Sequence, residues 1–223
     1  MSDRPSSLVD DRPERVRQAL AGRLSSVVVV CEAVNRRHNI SAILRSAECF
    51  GLHEAHLVTG SAPARDGEDA SAFRPSRGAA RGAERWLELH LHAEVGPCLQ
   101  ALKDRGFRVY VADLAPDALA PAELPVDGPL VLVFGSEILG ISDQARALAD
   151  GTVTVPMHGL TESLNVSVAA GCVLQAVTER RRAALSARGL RGDLPLERQQ
   201  AFFDAWQAAE LEAALGREAR LGE

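Results

Sequence analysis

The chain has 223 residues, a formal net charge of −5, 46% hydrophobic and 25% charged residues. This is the composition of a globular protein with a real core, one large domain or two small ones. It excludes electrostatic coating of nucleic acid by the whole surface, though not a local basic patch. Apolar runs such as Val27 to Cys31 are too short to span a bilayer, and the polar N-terminus lacks a secretory h-region. The expectation is a cytoplasmic protein in which Cys31, Cys49, Cys98 and Cys172, widely scattered, are reduced thiols.

The first part of the chain, residues 1–25, interleaves arginines with acids, and Pro13 opens a helix over Glu14 to Leu24. Ser26 to Cys31 is a β-branched run, the pattern of a strand buried on both faces of a parallel sheet. Ile40, Ile43, Leu44, Ala47 and Phe50 then recur at helical spacing, with Asn39 as cap and Gly51 as terminator. Ala55 to Thr59 is the next strand, completing a βαβ unit.

Residues Gly60 to Glu84 form a long loop with Arg65, Arg74, Arg77 and Arg81, and a connection of this length is usually functional or disordered. Trp86 to His92 alternates like an edge strand, Glu94 to Arg105 is helical, and Phe107 to Ala112 is a strand. Pro116 to Pro125 is a short helix or loop. Pro129 to Phe134 is a buried strand, followed by the glycine-framed turn Gly135 to Gly140 and a short helix capped by Ser142. Thr152 to Val155 is the last strand. A polar loop then leads into a helix opening near Ser163 and Asn165 and running through Arg182, and Leu196 to Leu215 is a terminal helix. Strands alternating with helices predict an α/β fold, a mainly parallel sheet with helices on both faces. The expected division is an N-terminal arm over 1–25, a main domain over 26–182 and a helical extension over 183–223.

Ligands of open α/β sheets sit beyond the carboxyl ends of the strands. Three loops there carry concentrated polar chemistry: Asn35 to Arg45, Gly135 to Ser142, and Met157 to Asn165. There is neither a G-x-G-x-x-G nor a G-x-x-x-x-G-K-[ST], which argues against an ordinary dinucleotide site or a P-loop. His53 with His56, and His90 with His92, lie in or near strands with no Cys or carboxylate completing a site, and read as surface or packing histidines; no metal is expected. Ser163 alone reads as an N-cap, and Glu137 equally as a base or a hydrogen-bonding group. Arg45, in an apolar helical stretch, requires an acidic partner, Glu48 or Glu137, or a bound anion. Arg180, Arg181, Arg182, Arg188 and Arg191 form the densest basic run, either a solvated helix face or a contact to an RNA backbone.

Taken together, N-R-R-H-N-I-S-A-I-L-R (Asn35–Arg45), V-F-G-S-E-I-L-G-I-S (Val133–Ser142) and V-P-M-H-G-L-T-E-S-L-N-V-S-V-A-A (Val155–Ala170) resemble the three motifs of the SPOUT-superfamily RNA 2′-O-methyltransferases, and most closely the TrmH-type tRNA guanosine-2′-O-methyltransferases. The likeness runs from about Val27 to Val177 and is supported by Gly82-x-x-x-Trp86 and the aromatic terminal helix. One departure is Arg36-Arg37-His38, where the family often has a proline beside the histidine.

The resemblance implies the alpha/beta knot fold, with a deep C-terminal trefoil knot that general topology rules would not anticipate. It implies S-adenosylmethionine as cofactor, in a pocket that includes Ala112, Gly135, Val155 and Leu164, with Ile141 and Met157 nearby. It implies a catalytic group of Asn39, Arg45, Glu137, Ser163 and Asn165, acting on the ribose 2′-hydroxyl of the D-loop guanosine in tRNA. It also implies a homodimer, with the helix after Ser163 and the terminal helix at the interface, where the small-residue face Val166, Ala169, Ala170 and Val173 would permit close helix packing. Ribosomal RNA or another tRNA position is the alternative substrate; the roughly 25 residues before the first strand are too few for an added RNA-binding domain, which favours tRNA. A non-catalytic RNA-binding dimer is the alternative outside enzymes.

Overall fold

The computed structural model describes residues 11–34, 36–59 and 82–221, with side chains as far as residue 212 apart from that of residue 84. Asn35 and the arginines of the 60–81 loop lie outside the described residues.

The order of elements is α1 (Arg12–Ala21), β1 (Val27–Glu32), α2 (Arg37–Cys49), β2 (Glu54–Val58), a 3-10 turn (Ala83–Trp86), β3 (Glu88–His92), α3 (Val95–Asp104), β4 (Arg108–Ala112), β5 (Leu130–Phe134), α4 (Asp143–Leu148), β6 (Gly151–Val153), α5 (Val166–Ser186) and α6 (Leu196–Leu221). Among the described residues, six strands form one sheet in the order β3-β2-β1-β5-β4-β6. Every pairing within it is parallel.

Strand alternation builds both layers of the core. Val27, Val29 and Cys31 of β1, with Leu130, Leu132 and Phe134 of β5, face one cluster that includes Ile43, Leu44 and Ala47 of α2 and Ala170, Val173 and Leu174 of α5. Val28, Val30, Val131 and Val133 face the other way, against Cys98, Leu99 and Leu102 of α3 and Ala145 of α4. That is why both central strands read as unbroken apolar runs.

A third cluster joins α1 to α6 through Val16, Leu20 and Phe203, with Trp86, Phe202 and Trp206 packed against it. The Trp86 and Trp206 ring centroids are 6.2 Å apart. The terminal helix is thus held against the rest of the chain.

Several expectations need correction. The segment at Trp86 begins as a 3-10 turn entered from Gly82, whose φ of +82° suits glycine, and the edge strand starts only at Glu88. Of the two alternatives for residues 116–125, helix or loop, the structure takes the loop, built of turns. Asn39 is not the cap of α2; the helix starts at Arg37, and Asn39 is a buried first-turn residue with a tertiary partner. α5 starts later than Ser163, at Val166, capped by Asn165.

The basic run is corrected too. Arg181 is buried, paired with Asp193 at 3.1 Å and bonded to Ser26 Oγ at 2.8 Å and the Val126 carbonyl at 2.9 Å. Arg180 donates to the Leu124 carbonyl at 2.6 Å, and Arg182 to those of Gly22 and Phe50 at 2.8 and 2.9 Å. Guanidiniums with five donors suit this work of satisfying carbonyls at chain reversals. Only Arg188 and Arg191 of the run are exposed.

Candidate functional site

The three polar loops converge at the carboxyl ends of β4, β5 and β1. A cavity of about 450 Å³ lies there, in the size range of small-molecule sites. Ala112 and Asp113 after β4, Gly135 to Glu137 after β5, Val153 to Val155 with Met157 after β6, and Ser163 to Val166 at the start of α5 line it.

Gly135 shows why the second loop needs its glycines. A Cβ there would sit 2.3 Å from the Gly140 carbonyl oxygen and 2.8 Å from the Ile141 nitrogen. The loop closes on itself through paired Ser136 and Gly140 backbone bonds at 2.8 and 3.1 Å, and Gly140 has φ +69°. The resulting rim presents backbone toward the cavity, which is what a site without a glycine fingerprint requires.

Of the residues implied for the cofactor, Ala112, Gly135, Val155, Met157 and Leu164 line the cavity. Ile141 does not: it is buried on the opposite side of the sheet with Val133 and Ala145, and contributes its backbone nitrogen behind Gly135. Arg36, Asp113 and Thr154 also line the cavity. Asp113 and Thr154 carry no signal in the sequence, and Arg36 stands out there only as a departure from the family's first loop. Asp113 is engaged by Arg146 at 2.7 Å, which anchors the wall after β4.

The residues that the resemblance implies for catalysis are brought together only in part. The Asn39 side-chain amide donates to a Glu137 carboxylate oxygen, and Asn165 Nδ2 donates to Asn39 Oδ1 at 3.2 Å. Asn165 Oδ1 meanwhile accepts from the Ser167 backbone N–H at 2.9 Å and its hydroxyl at 2.6 Å. These two roles of Asn165, helix cap and tertiary donor, orient its amide completely. Glu137, Ser163 and Asn165 line the cavity, and Asn39 lies behind them, buried. Burial pushes the Cys31 thiol up to about 12, with Glu137 adding to the effect.

Arg45 is placed differently from the expectation that it would be buried. It is exposed on α2, and among the described residues it has no ion pair. Neither proposed partner is used: Glu48 pairs with Arg23 at 3.0 Å, and Glu137 accepts from Asn39. The small-residue face of α5 is also occupied within the subunit. Ala170 and Val173 are buried, and Val166, Ala169 and Val173 line the cavity. Leu114 and Leu164 of the cavity lining are exposed apolar side chains, as are Ile138, Leu139, Leu160 and Val168 on the segments that carry the site.

Residues 26–175 match the SpoU rRNA Methylase family. The chain belongs to that family. SpoU relatives at the level of sequence include a Thermus thermophilus protein named tRNA (guanosine(18)-2′-O)-methyltransferase, 38% identical over 78% of this chain and 86% of its own length. An Escherichia coli protein of the same name is 32% identical over 86% of this chain and 81% of its own. Among solved structures, the A. aeolicus TrmH/SpoU tRNA modifying enzyme superposes with a TM-score of 0.78 at 26% identity, covering 91% of this chain and 98% of that one. Among the described residues no helix is long and apolar enough to cross a membrane.

Proposed function

We propose that this chain is a cytoplasmic S-adenosylmethionine-dependent tRNA methyltransferase that modifies the ribose 2′-hydroxyl of the D-loop guanosine. The observation that carries the reading is the bonded series Glu137–Asn39–Asn165 at the edge of the cavity, joining all three polar loops. The sequence relatives named for this reaction support it.

The cavity fits the cofactor in size, and one rim is the tight Gly135–Gly140 loop, whose backbone contact at Gly135 leaves no room for a Cβ. Ala112, Gly135, Val155, Met157 and Leu164 would hold it. Bound there, S-adenosylmethionine supplies an electrophilic methyl group carried on a sulfonium.

The protein's share is positioning and charge management. Asn165 retains one amide hydrogen beyond its bond to Asn39, and Ser163 stands two residues before it, so together they can orient a ribose at the cavity edge. Glu137 and Asn39 brace Asn165 from behind. Arg45, permanently charged, is a poor proton acceptor. Its exposed guanidinium suits a phosphate beside the target ribose, lowering the cost of charge developing on the 2′-oxygen.

We infer further that the subunit works as a homodimer, with Ile138, Leu139, Leu160 and Val168 supplying apolar surface near the site. The expected C-terminal knot belongs to the same reading. Its support is that the chain leaves edge strand β6 and returns to pack α5 on α2, next to the central strand β1.

The family's description as rRNA methylases favours ribosomal RNA as the second reading. Labelled-methyl transfer to a tRNA pool, followed by mass-spectrometric mapping of the modified nucleotide, decides between them. The proposal requires a D-loop 2′-O-methylguanosine and loss of transfer in Arg45→Ala with cofactor binding kept. Equal transfer by wild type and Arg45→Ala overturns the role of Arg45, and modification confined to ribosomal RNA overturns the substrate.

A further inference from the structure

Far from the cavity, at the β3 edge of the sheet, the face covered by α3 carries an unusual set of side chains. In the parallel register Glu54 lies opposite Glu88, His56 opposite His90 and Val58 opposite His92. By alternation all six share one face. Val58 packs with Val95, Cys98 and Leu99, which identifies α3 as the helix above them. The His56 ring stacks on His90, with centroids 4.7 Å apart, and meets the His92 ring edge to edge in a nearly parallel plane, with centroids 5.0 Å apart. Imidazoles needed only for volume would be costly here, because each brings nitrogens that must find partners. The expectation that no carboxylate or cysteine accompanies these histidines is overturned: Glu54, two residues before His56 on the same strand, and Cys98, six residues after His92 on the covering helix, are brought beside the imidazoles.

Hydrogen bonding sets the protonation state of the cluster. Glu54 is 1% exposed and receives both Arg105 terminal nitrogens, at 2.6 and 2.8 Å, which keeps it ionised. Its Oε1 also lies 2.8 Å from His56 Nε2. A carboxylate only accepts, so His56 carries its proton on Nε2 and leaves Nδ1 as a bare lone pair. That lone pair faces His92 Nε2 at 2.8 Å and Cys98 Sγ at 3.7 Å. All three atoms lie within 4.8 Å of one another.

The geometry points to a binding site for a borderline-soft divalent cation of the zinc class, with His56 Nδ1, His92 Nε2 and Cys98 Sγ as ligands, Glu54 as the carboxylate behind His56, and water in a fourth position. A carboxylate–histidine–metal arrangement is how proteins fix the tautomer and raise the basicity of a ligating imidazole. Tetrahedral zinc, with bonds of about 2.0–2.1 Å to nitrogen and 2.3 Å to sulfur, sets its nitrogen and sulfur ligands about 3.6 Å apart and two nitrogens about 3.3 Å apart. The His56–Cys98 spacing already fits, and the two imidazoles must part by about 0.5 Å and tilt until their lone pairs converge on one point to match that geometry.

Binding releases the Cys98 thiol proton to solvent and leaves His92 as its Nδ1–H tautomer. Glu54, His56 and His90 form a neighbouring group, but a cation there would compete with Arg105 and with Arg198, 3.6 Å from Glu54. A cation on the first set joins β2, β3 and α3, and so secures an edge strand.

The test uses the full chain, stripped with a chelator and titrated with Zn²⁺ and separately with Co²⁺. One equivalent should bind per chain, Co²⁺ should give a near-ultraviolet thiolate-to-metal charge-transfer band, and Zn²⁺ should raise the melting temperature. Cys98→Ser should abolish the band. Glu54→Gln should weaken Zn²⁺ affinity about 10–100-fold. His92→Ala, at a half-buried site and checked for native circular dichroism, should lose the Zn²⁺-dependent rise in melting temperature. A double Cys49→Ser, Cys172→Ser variant should keep the band. Substoichiometric binding by wild type, a band that survives Cys98→Ser, or a band lost in the double variant would each overturn the site. The readouts are independent of methyl transfer.

Discussion

Asn165 reaches across from the start of α5 to donate to Asn39 in the first turn of α2, at 3.2 Å. The two residues are far apart in sequence, and each is also bound elsewhere: Asn39 to Glu137, Asn165 to the backbone it caps. Amides suit this use because each offers donors and an acceptor at once. A carboxylate in place of Asn39 would face Glu137 with a like charge, and a hydroxyl is too short to bridge both.

Asn39→Ala should therefore lower methyl transfer to tRNA by about a hundredfold, the usual consequence of loosening a positioned group by about an ångström. S-adenosylmethionine affinity, read by calorimetry, should change little, since Asn39 does not line the cavity. An equal loss of cofactor binding would show that Asn39 supports the pocket and not the substrate edge.

Gly135→Ala should act in the opposite order. Its Cβ would meet backbone atoms of Gly140 and Ile141, which cannot swing aside as a side chain can. The loop must shift, at a cost of about 1–3 kcal/mol. Cofactor affinity should fall first and transfer with it, and saturating cofactor should restore part of the rate. Calorimetry and a denaturant midpoint on one preparation measure both effects.

The strands were legible because β1 and β5 are buried on both faces and leave continuous apolar runs. The short helix at Ser142 was equally plain, and its hydroxyl accepts from the Ala145 N–H at 3.1 Å. The role of Asn39 was harder, because a polar residue before an apolar period looks like a cap when its real partner is 98 residues away. Arg45 was misjudged for a related reason: its helix is apolar on one face only, and Arg45 stands on the other. Nothing local distinguishes Arg36 as a cavity residue. The Glu54–His56–Cys98 grouping depends on strand register and on which helix covers the sheet, neither of which periodicity supplies.

The basic run offers a stability prediction. Arg181 and Asp193 are nearly buried, with side chains 8% and 15% exposed, and Asp193 also accepts from the Ser25 backbone N–H at 2.7 Å. Removing one partner leaves the other charge without compensation, so Arg181→Ala should cost about 3–5 kcal/mol in urea unfolding. Arg188→Ala, at an exposed position, should stay within about 0.5 kcal/mol. If the run served mainly to bind RNA, the two would instead have similar stability and similar losses of tRNA affinity.

Glu54 gives the pH dependence. Burial alone would raise its value, but hydrogen bonds from Arg105 and His56 outweigh this and hold the carboxyl well below the usual carboxylate range. A depressed folded value means that the unfolded chain takes up the proton first. The stability contributed is fully present above the unfolded value of about 4.3 and is lost as pH falls from there through the folded value. In chelator-treated protein, the urea midpoint of wild type should thus exceed that of Glu54→Gln most at neutral pH and down to about pH 5. The gap should then narrow steadily between about pH 4 and pH 2. A gap independent of pH would mean that shape and packing, not the Glu54 charge held by Arg105, account for the difference.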